Sequence, residues 1–332
     1  MHLDIFKNDA FSLSNLTTAI TNVPFQPQRI AQLGLFTESG IATTSMSLES
    51  VGSSISLVPS ASRGAPGRPM TNDKRRAFSV NAIHLPQRAS ILADEVQNLR
   101  AFGTESEVTT AQAVMNAKLF KMRRDIDTTM EYQRIGAVKG QVLDADGTTV
   151  LWDMFDLFGI AQTSHNLVLG TAGTKVAQKV VESKRKIEDA LGAIQYGGLR
   201  ALCSTSFFDA LVTHAAVEKA YDRWMNGEFL RAGDHRGGFY YAGVFWEEYR
   251  GQVGATKFIG DGEAYLIPEG VPDLFQTWFA PANYMETVNT IGLPYYAKQE
   301  PMDFDKGIEV ETQSNPIHLC TRPAAICKLT AA

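Results

Sequence analysis

Two extended segments, Val51-Gly-Ser-Ser-Ile-Ser-Leu-Val-Pro59 and Ala77-Phe-Ser-Val-Asn-Ala-Ile-His-Leu85, form the arms of the stretch Glu49–Pro86, whose reading decides the fold. Ile55 and Leu57 alternate with Ser54 and Ser56, and Phe78, Val80 and Ala82 alternate with Ser79 and Asn81. A period of two predicts strands. Residues 60–76 join them through a glycine- and proline-rich tip carrying Arg63, Arg68, Lys74, Arg75 and Arg76 against the single carboxylate of Asp73. A long hairpin with so few large apolar residues is marginal alone in water. It must lean on another surface, and a second copy of the same chain is the surface expected.

Working outward toward the N-terminus, residues 29–48 hold Ile30, Leu33 and Leu35-Phe36 in a short helical or buried turn, broken at Gly40. A Ser/Thr-rich run then leads into the hairpin as a strand. Residues 1–28 read as a loosely patterned arm. Ser12 or Ser14 is placed to cap a short helix through Leu13, Leu16, Ala19 and Ile20, which Val23-Pro-Phe-Gln-Pro27 stops. An arm of this kind needs a surface to lie on; a frayed terminus is the alternative.

On the C-terminal side, Gly103 closes an element begun near Pro86, and Thr104-Glu-Ser-Glu107 spells a capping box. Val108, Ala111, Met115, Leu119, Met122, Ile126 and Met130 then recur at helical spacing, predicting an amphipathic spine helix over 104–135. Some 30 residues span about 45 Å. Asp144-Ala-Asp-Gly147 between short apolar runs predicts a hairpin turn rather than a calcium loop, which requires more oxygen ligands and an acidic twelfth position. The aromatics of Trp152–Ile160 are expected against the spine, and residues 161–177 form a boundary loop. Helix and strand alternate beyond it: helix over Lys179–Leu191, strand over Leu199–Cys203, helix capped by Ser204 or Thr205, then an aromatic strand region over Phe239–Tyr249. A short strand is expected around Ala264–Ile267, the apolar run Leu274–Ala280 follows, and the tail contains Ile308-Glu-Val-Glu311 and two final strands around Ile317–Cys320 and Ala325–Leu329.

The 332 residues are 44% hydrophobic and 20% charged, with net charge −5, which argues against a dedicated nucleic-acid reader. Three cysteines suggest no disulfide framework, no apolar run is long enough for a bilayer span, and the N-terminus lacks a signal-peptide pattern. There is no P-loop, no Gly-x-Gly-x-x-Gly after a strand, no His-Glu-x-x-His and no Gly-x-Ser-x-Gly. His318, Cys320 and Cys327 invite a zinc reading, but structural zinc wants four ligands in paired spacings, and buried core is the simpler account. Cys203, His214, Asp234 and His235 contain the residue types of a nucleophilic site, yet nothing in their spacing forces them together. No catalytic residue, cofactor or metal is expected. The basic tip can meet phosphates or a partner's carboxylates, with a bare solvated loop as the plain alternative.

The order of parts resembles the major capsid proteins of tailed phages with the Hong Kong 97-type fold, and in particular the lambda-type family known as phage major capsid protein E. Leu33-Gly-Leu-Phe36, Gly40-Ile41, Arg63-Gly-Ala-Pro-Gly67, Lys74-Arg-Arg76 and Asn315-Pro-Ile-His-Leu-Cys-Thr-Arg-Pro323 carry the likeness, which covers nearly the whole chain. The resemblance implies an α+β fold with an N-terminal arm (1–28) and a peripheral domain (29–48 and 86–177). It implies an extended loop (49–86) lying over a neighbouring subunit, an α/β axial domain (178–289) and C-terminal strands completing the body (290–332). The tip residues Arg63, Arg68, Lys74, Arg75 and Arg76 would then be intersubunit contacts. The function implied is a non-enzymatic subunit that assembles into hexamers and pentamers of an icosahedral head shell, in the host cytoplasm and then the virion. The partners implied are further copies of the chain, a separate scaffolding protein, the portal and non-specifically held DNA, with a decoration protein as a further candidate and no membrane. A long N-terminal scaffolding segment is expected to be absent. Two other readings compete: a soluble α/β enzyme with its site in 178–289, and a nucleic-acid-binding module using the basic loop 60–76.

Overall fold

The computed structural model describes residues 12–23, 28–51, 75–93, 95, 107–224 and 237–332. Helix α1 (Leu13–Asn22) starts at Ser12, whose side chain accepts the Asn15 N–H, and it buries Leu16, Thr17 and Ile20. Helix α2 (Arg29–Leu33) ends at Gly34 in the left-handed conformation, the usual glycine stop. Phe36–Gly40, expected to finish a buried turn, is instead strand β1. It runs parallel to the distant strand Phe275–Phe279, with Phe36 opposite Phe275, so tertiary pairing overrides a local sequence rich in polar residues.

The hairpin is present as β2 (Ser45–Val51) and β3 (Arg75–Asn81), paired antiparallel from Ser45↔Asn81 to Val51↔Arg75. The ladder therefore begins several residues before the expected Val51, and residues 52–59 and the tip to Lys74 lie outside the described residues. The second arm ends at Asn81 rather than Leu85. The Ala82 N–H turns to Thr44 O and the Ile83 N–H to Pro316 O, which takes the chain off the ladder. Leu85 and Pro86 already belong to β4 (Leu85–Leu92). Pro86 is tolerated there because β4 is an edge strand.

The spine is α3 (Glu107–Lys139), 33 residues and about 50 Å long. Met115, Leu119, Met122, Ile126 and Met130 are buried as their spacing predicts. Val108 and Ala111 fall in its first turns, where only the backbone is described, and Thr104 lies outside the described residues. The helix does not stop at Ile135-Gly136. Gly136 serves close packing: a Cβ there would meet Val142 Cα and Gln141 O at 2.9 Å. The stop is Gly140, at φ +88°.

Strands β5 (Gln141–Leu143) and β6 (Val150–Asp153) form the small hairpin, followed by α4 (Met154–Phe158), β7 (Ser164–Asn166) and α5 (Val176–Leu191). The boundary loop 161–177 thus contains a short strand. Next come β8 (Gly198–Cys203), α6 (Thr205–Val212, capped by Ser204), α7 (Ala215–Trp224), β9 (Phe239–Tyr241) and β10 (Val244–Glu248). A turn at Ala242-Gly243 splits the aromatic run into two strands. The chain finishes with β11 (Gln252–Val253), β12 (Thr256–Lys257), β13 (Glu263–Glu269), β14 (Phe275–Phe279), β15 (Tyr296–Pro301), β16 (Gly307–Ser314), β17 (Pro316–Cys320) and β18 (Cys327–Thr330).

Three cores organise these elements. A six-stranded sheet in the order β7-β18-β13-β8-β10-β9 packs its apolar face under α5 and α6, burying Val180, Ile187, Phe207, Leu211 and Trp246. The three-stranded sheet β1-β14-β17, the hairpin root and the end of the spine share a second core around Ile135, Val138, Phe275 and Ile317. The sheet β15-β16-β4 covers the middle of the spine, joining Ile91, Ile308 and Val310 to Leu16 and Ile20 of α1.

Candidate intersubunit surfaces

Arg123, Asp127, Glu131 and Arg134 follow one another at steps of four, four and three along α3, so they share a face, and all are buried. An Arg123 nitrogen donates to Ile20 O at 2.5 Å and Thr21 O at 2.7 Å, satisfying carbonyls of the last turn of α1. Its guanidinium lies 4.0 Å from the Tyr295 ring centroid, and the Tyr295 hydroxyl donates to Asp127 at 2.5 Å. Glu131 accepts the Ile30 N–H at 2.8 Å and the Tyr249 hydroxyl at 3.2 Å. Arg134 pairs with Glu38 on β1 at 2.5 Å. Arg29 forks onto Glu247 at 3.0 and 2.6 Å, and Arg200 joins the same carboxylate at 2.7 Å. Burial pushes the Asp127 and Glu131 carboxyls above their ordinary range, against the pull of these donors. The arm helix, α2 and β1 are thus tied to one row of charges on the spine.

The hairpin root is anchored on one side only. Val80 is buried, and Met46, Leu48 and Phe78 pack against the second core, with the Phe78 ring edge-on to Phe158 at 5.0 Å. Among the described residues the β2–β3 ladder joins no other strand. Of the five tip cations, Arg63, Arg68 and Lys74 lie outside the described residues. Arg75 and Arg76 start β3 opposite Val51 and Ser50.

The outward face of β15-β16-β4 is built from cross-strand rows. Lys298, Glu311 and Arg88 form one row, with Arg88 and Glu311 paired at 2.6 Å. Glu300, Glu309 and Ser90 form the next. There two carboxylates stand directly opposite each other, an arrangement that destabilises a sheet. Among the described residues neither Glu300 nor Glu309 carries an ion pair. At the end of this sheet Phe304 sits at φ +60° with 90% of its surface exposed.

The 281–294 segment crosses beside this face. A Cβ on Gly40 would stand 2.3 Å from Gly292 O, and one on Gly292 would stand 2.1 Å from Phe279 O, so backbone meets backbone there. The Gly292 N–H also donates to Ile41 O at 2.9 Å. Held in this way, the segment exposes Met285 (89%), Ile291 (69%), Val288 and Leu293. Contiguous exposed apolar residues of this kind mark contact surfaces. Two grooves of about 770 and 470 Å³ flank it and share Asn283 and Tyr284. The larger opens at the hairpin root by Thr43–Ser45, and the smaller contains Glu300, Glu309 and Glu311.

The residues that invited catalytic or metal readings are structural where they are described. Cys203, Cys320 and Cys327 are free and buried, and burial raises all three thiols. His318 is buried beside Thr277, whose hydroxyl oxygen lies 2.9 Å from Nδ1. His214 bonds Thr171 O and the Ala216 N–H, while Asp234 and His235 lie outside the described residues. Asp146 takes the Thr148 and Thr149 N–H groups and the Thr149 hydroxyl, which completes a turn and leaves its carboxyl well below the usual range. Among the described residues no three His, Cys, Asp or Glu side chains group as metal ligands, and no helix is long and apolar enough to cross a membrane. The charged row on the spine was missed in the sequence. Its signal was available: Arg123, Asp127, Glu131 and Arg134 recur at the spacing of the apolar stripe and lie beside it.

The family profile described as phage major capsid protein E matches residues 12–331. The major capsid protein of Salmonella phage Felix O1 is 26% identical over 356 residues, covering 97% of this chain and 96% of that protein. The major capsid protein of Pseudomonas phage KPP10 is 29% identical over 346 residues, covering 97% of each. A crystal structure assigned as the capsid protein of an E. coli CFT073 prophage superposes with a TM-score of 0.60 at 12% identity, covering 96% of this chain and 99% of that one.

Proposed function

The chain belongs to the phage major capsid protein E family, and from that premise we propose how this subunit builds its shell. It is a major capsid protein of a phage head, with the α+β, Hong Kong 97-type fold. The subunits associate as hexamers and pentamers and enclose genomic DNA. The six-stranded unit, with residues 178–289 at its centre, points toward the axis of each ring. The spine and the sheet β15-β16-β4 form the periphery, residues 1–28 act as the arm, and the hairpin reaches over a neighbour with its basic tip as the contact.

The observation that carries this reading is the β2–β3 ladder, which is rooted on the second core and, among the described residues, pairs with no other strand. Beyond that root, a two-stranded element gains further stabilising surface from another molecule. The ordering entropy of extended arms is lost at assembly, which restrains premature association of free subunits. A scaffolding protein, the portal and non-specific contact with DNA complete the set of partners, with a decoration protein as a further candidate, and assembly takes place in the host cytoplasm. The role is structural and not catalytic; the buried cysteines and histidines above already have packing or hydrogen-bonding roles. Electron microscopy of the full chain expressed with its scaffolding partner tests the reading. Closed shells or rings of five and six are expected, and a strict monomer under every condition overturns it.

A further inference from the structure

We propose that the cavity between α1, α2 and α3 is a hydrated proton site: ordered water joins Glu131 Oε2 to Arg134 Nε, and a proton taken up at Glu131 tightens the seating of α2 on the spine. Glu131 is 2% exposed. Its Oε1 accepts the Ile30 N–H at 2.8 Å and the Tyr249 hydroxyl at 3.2 Å, whereas its Oε2 is buried with no hydrogen-bond partner among the described residues. Arg134 is 6% exposed and places a terminal nitrogen on Glu38, and its Nε is buried without a partner in the same way. Both side chains line one cavity of about 290 Å³, walled also by Gln28, Ala31, Asp127 and Tyr295. Buried polar groups are satisfied by protein or by ordered water in the great majority of cases. The carboxylate oxygen needs a donor and the Nε–H needs an acceptor. Water is both, and at about 30 Å³ per molecule in the liquid several fit.

The charges around the cavity select the group that takes the proton. The spine supplies Arg123, Asp127 and Arg134 besides Glu131 itself, β1 supplies Glu38, and the segment before β15 supplies Tyr295. Tyr249, just after β10, faces Glu131 from the six-stranded unit. From α2 come the Ile30 and Ala31 N–H groups, since Arg29 is turned to Glu247. The α1 residue at the cavity, Thr21, does not titrate. Two cations thus meet three carboxylates. Arg123 stands 3.5 Å from Asp127 and Arg134 holds Glu38 at 2.5 Å, so among the described residues Glu131 is the carboxylate without an ion pair. Burial pushes its carboxyl above the ordinary range, outweighing the downward pull of the Ile30 N–H, the Tyr249 hydroxyl, the Ala31 N–H and Arg134. Lifting α2 would admit bulk water to this carboxyl and favour its ionised form, whereas the seated state favours the neutral one. The stabilisation of the seated state is therefore complete below the ordinary carboxyl value of ~4.3 and is lost as pH rises through the raised value.

Hydrogen exchange on the full-length free subunit tests the site, with the Ile30 amide reporting the seating of α2. After correction for the intrinsic pH dependence of exchange, its protection is expected to be about threefold or more higher at pH 5.5 than at pH 8. Glu131→Gln keeps the shape of the side chain and stays neutral, so it should hold the higher protection at both pH values. Asp127→Asn should keep the native dependence on pH. A native profile that is flat overturns the proposal. So does a dependence that survives Glu131→Gln, or one that disappears with Asp127→Asn. A high-resolution structure of the native subunit decides the hydration without any variant. Water within hydrogen-bond distance of both Glu131 Oε2 and Arg134 Nε is expected, and a direct contact between the two side chains or a dry cavity refutes the site.

Discussion

His318 shows how one buried group sets a response to acid. It is fully buried, with Thr277 on Nδ1, the Phe36 ring edge-on at 6.2 Å and the charge of Arg134 nearby. Burial first, and Arg134 second, hold its protonation well below the ordinary imidazole range. The unfolded chain takes up this proton near pH ~6.5 and the folded chain does not. Its contribution to stability is therefore complete above that pH and is lost as pH falls below it, at up to ~1.4 kcal/mol per pH unit. His318→Gln should show a shallower fall in melting temperature than the native chain between pH 6.5 and 5. Arg123 is a second test at this scale. Arg123→Met removes the guanidinium from the Tyr295 ring, frees the Ile20 and Thr21 carbonyls and leaves Asp127 without this partner. Breaking a buried pair from one side costs about 3–5 kcal/mol. Urea unfolding should register that loss, and amide exchange over Leu13–Asn22 should accelerate, with Asp127→Asn in the same chain recovering part of it.

Among the elements, the hairpin and the Gly40–Gly292 crossing do different work. Deleting Ser62–Asn72 should leave a subunit with native melting behaviour that no longer forms stable shells, because the described ladder keeps its root on Val80 and Phe78. Normal particles from that deletion would remove the loop from the assembly account. Gly292→Ala should instead destabilise the free subunit by about 1–3 kcal/mol, the usual cost of overpacking, since its Cβ meets backbone that has no rotamer to give. Thermal unfolding separates the two outcomes. The elements also show what was legible in the sequence. The spine, its methionine stripe, the Asp-Gly hairpin and the Ser204-capped helix follow local rules of period, capping and turn chemistry, and all four are found. Strand β1 was not legible, because only its distant parallel partner makes Thr37-Glu-Ser-Gly40 extended. The acidic face was equally hidden: Glu300 and Glu309 are unremarkable in sequence until the turn between β15 and β16 places them side by side.

For the whole molecule, assembly should respond to salt far more than stability does. Contacts between exposed charges are screened within about 10 Å at 0.1 M ionic strength, whereas the row on the spine is buried and screened less. Raising salt from about 0.1 to 1 M, where screening tightens to about 3 Å, should therefore reduce the rate of shell formation, followed by light scattering, while the melting temperature of the free subunit changes little. The route of the chain has a separate consequence. Strand β18 lies between β13 and β7, and among the described residues it is the sheet partner of β7. Cys327 and Leu329 fill the core of the six-stranded sheet, whose other strands are made far earlier in synthesis. That sheet cannot close around a nascent chain still missing residues 327–330, so its long-range pairings form late. A chain ending before Cys327 would leave an open slot between β7 and β13. Closure of the six-stranded sheet thereby waits on the last of its six strands in chain order.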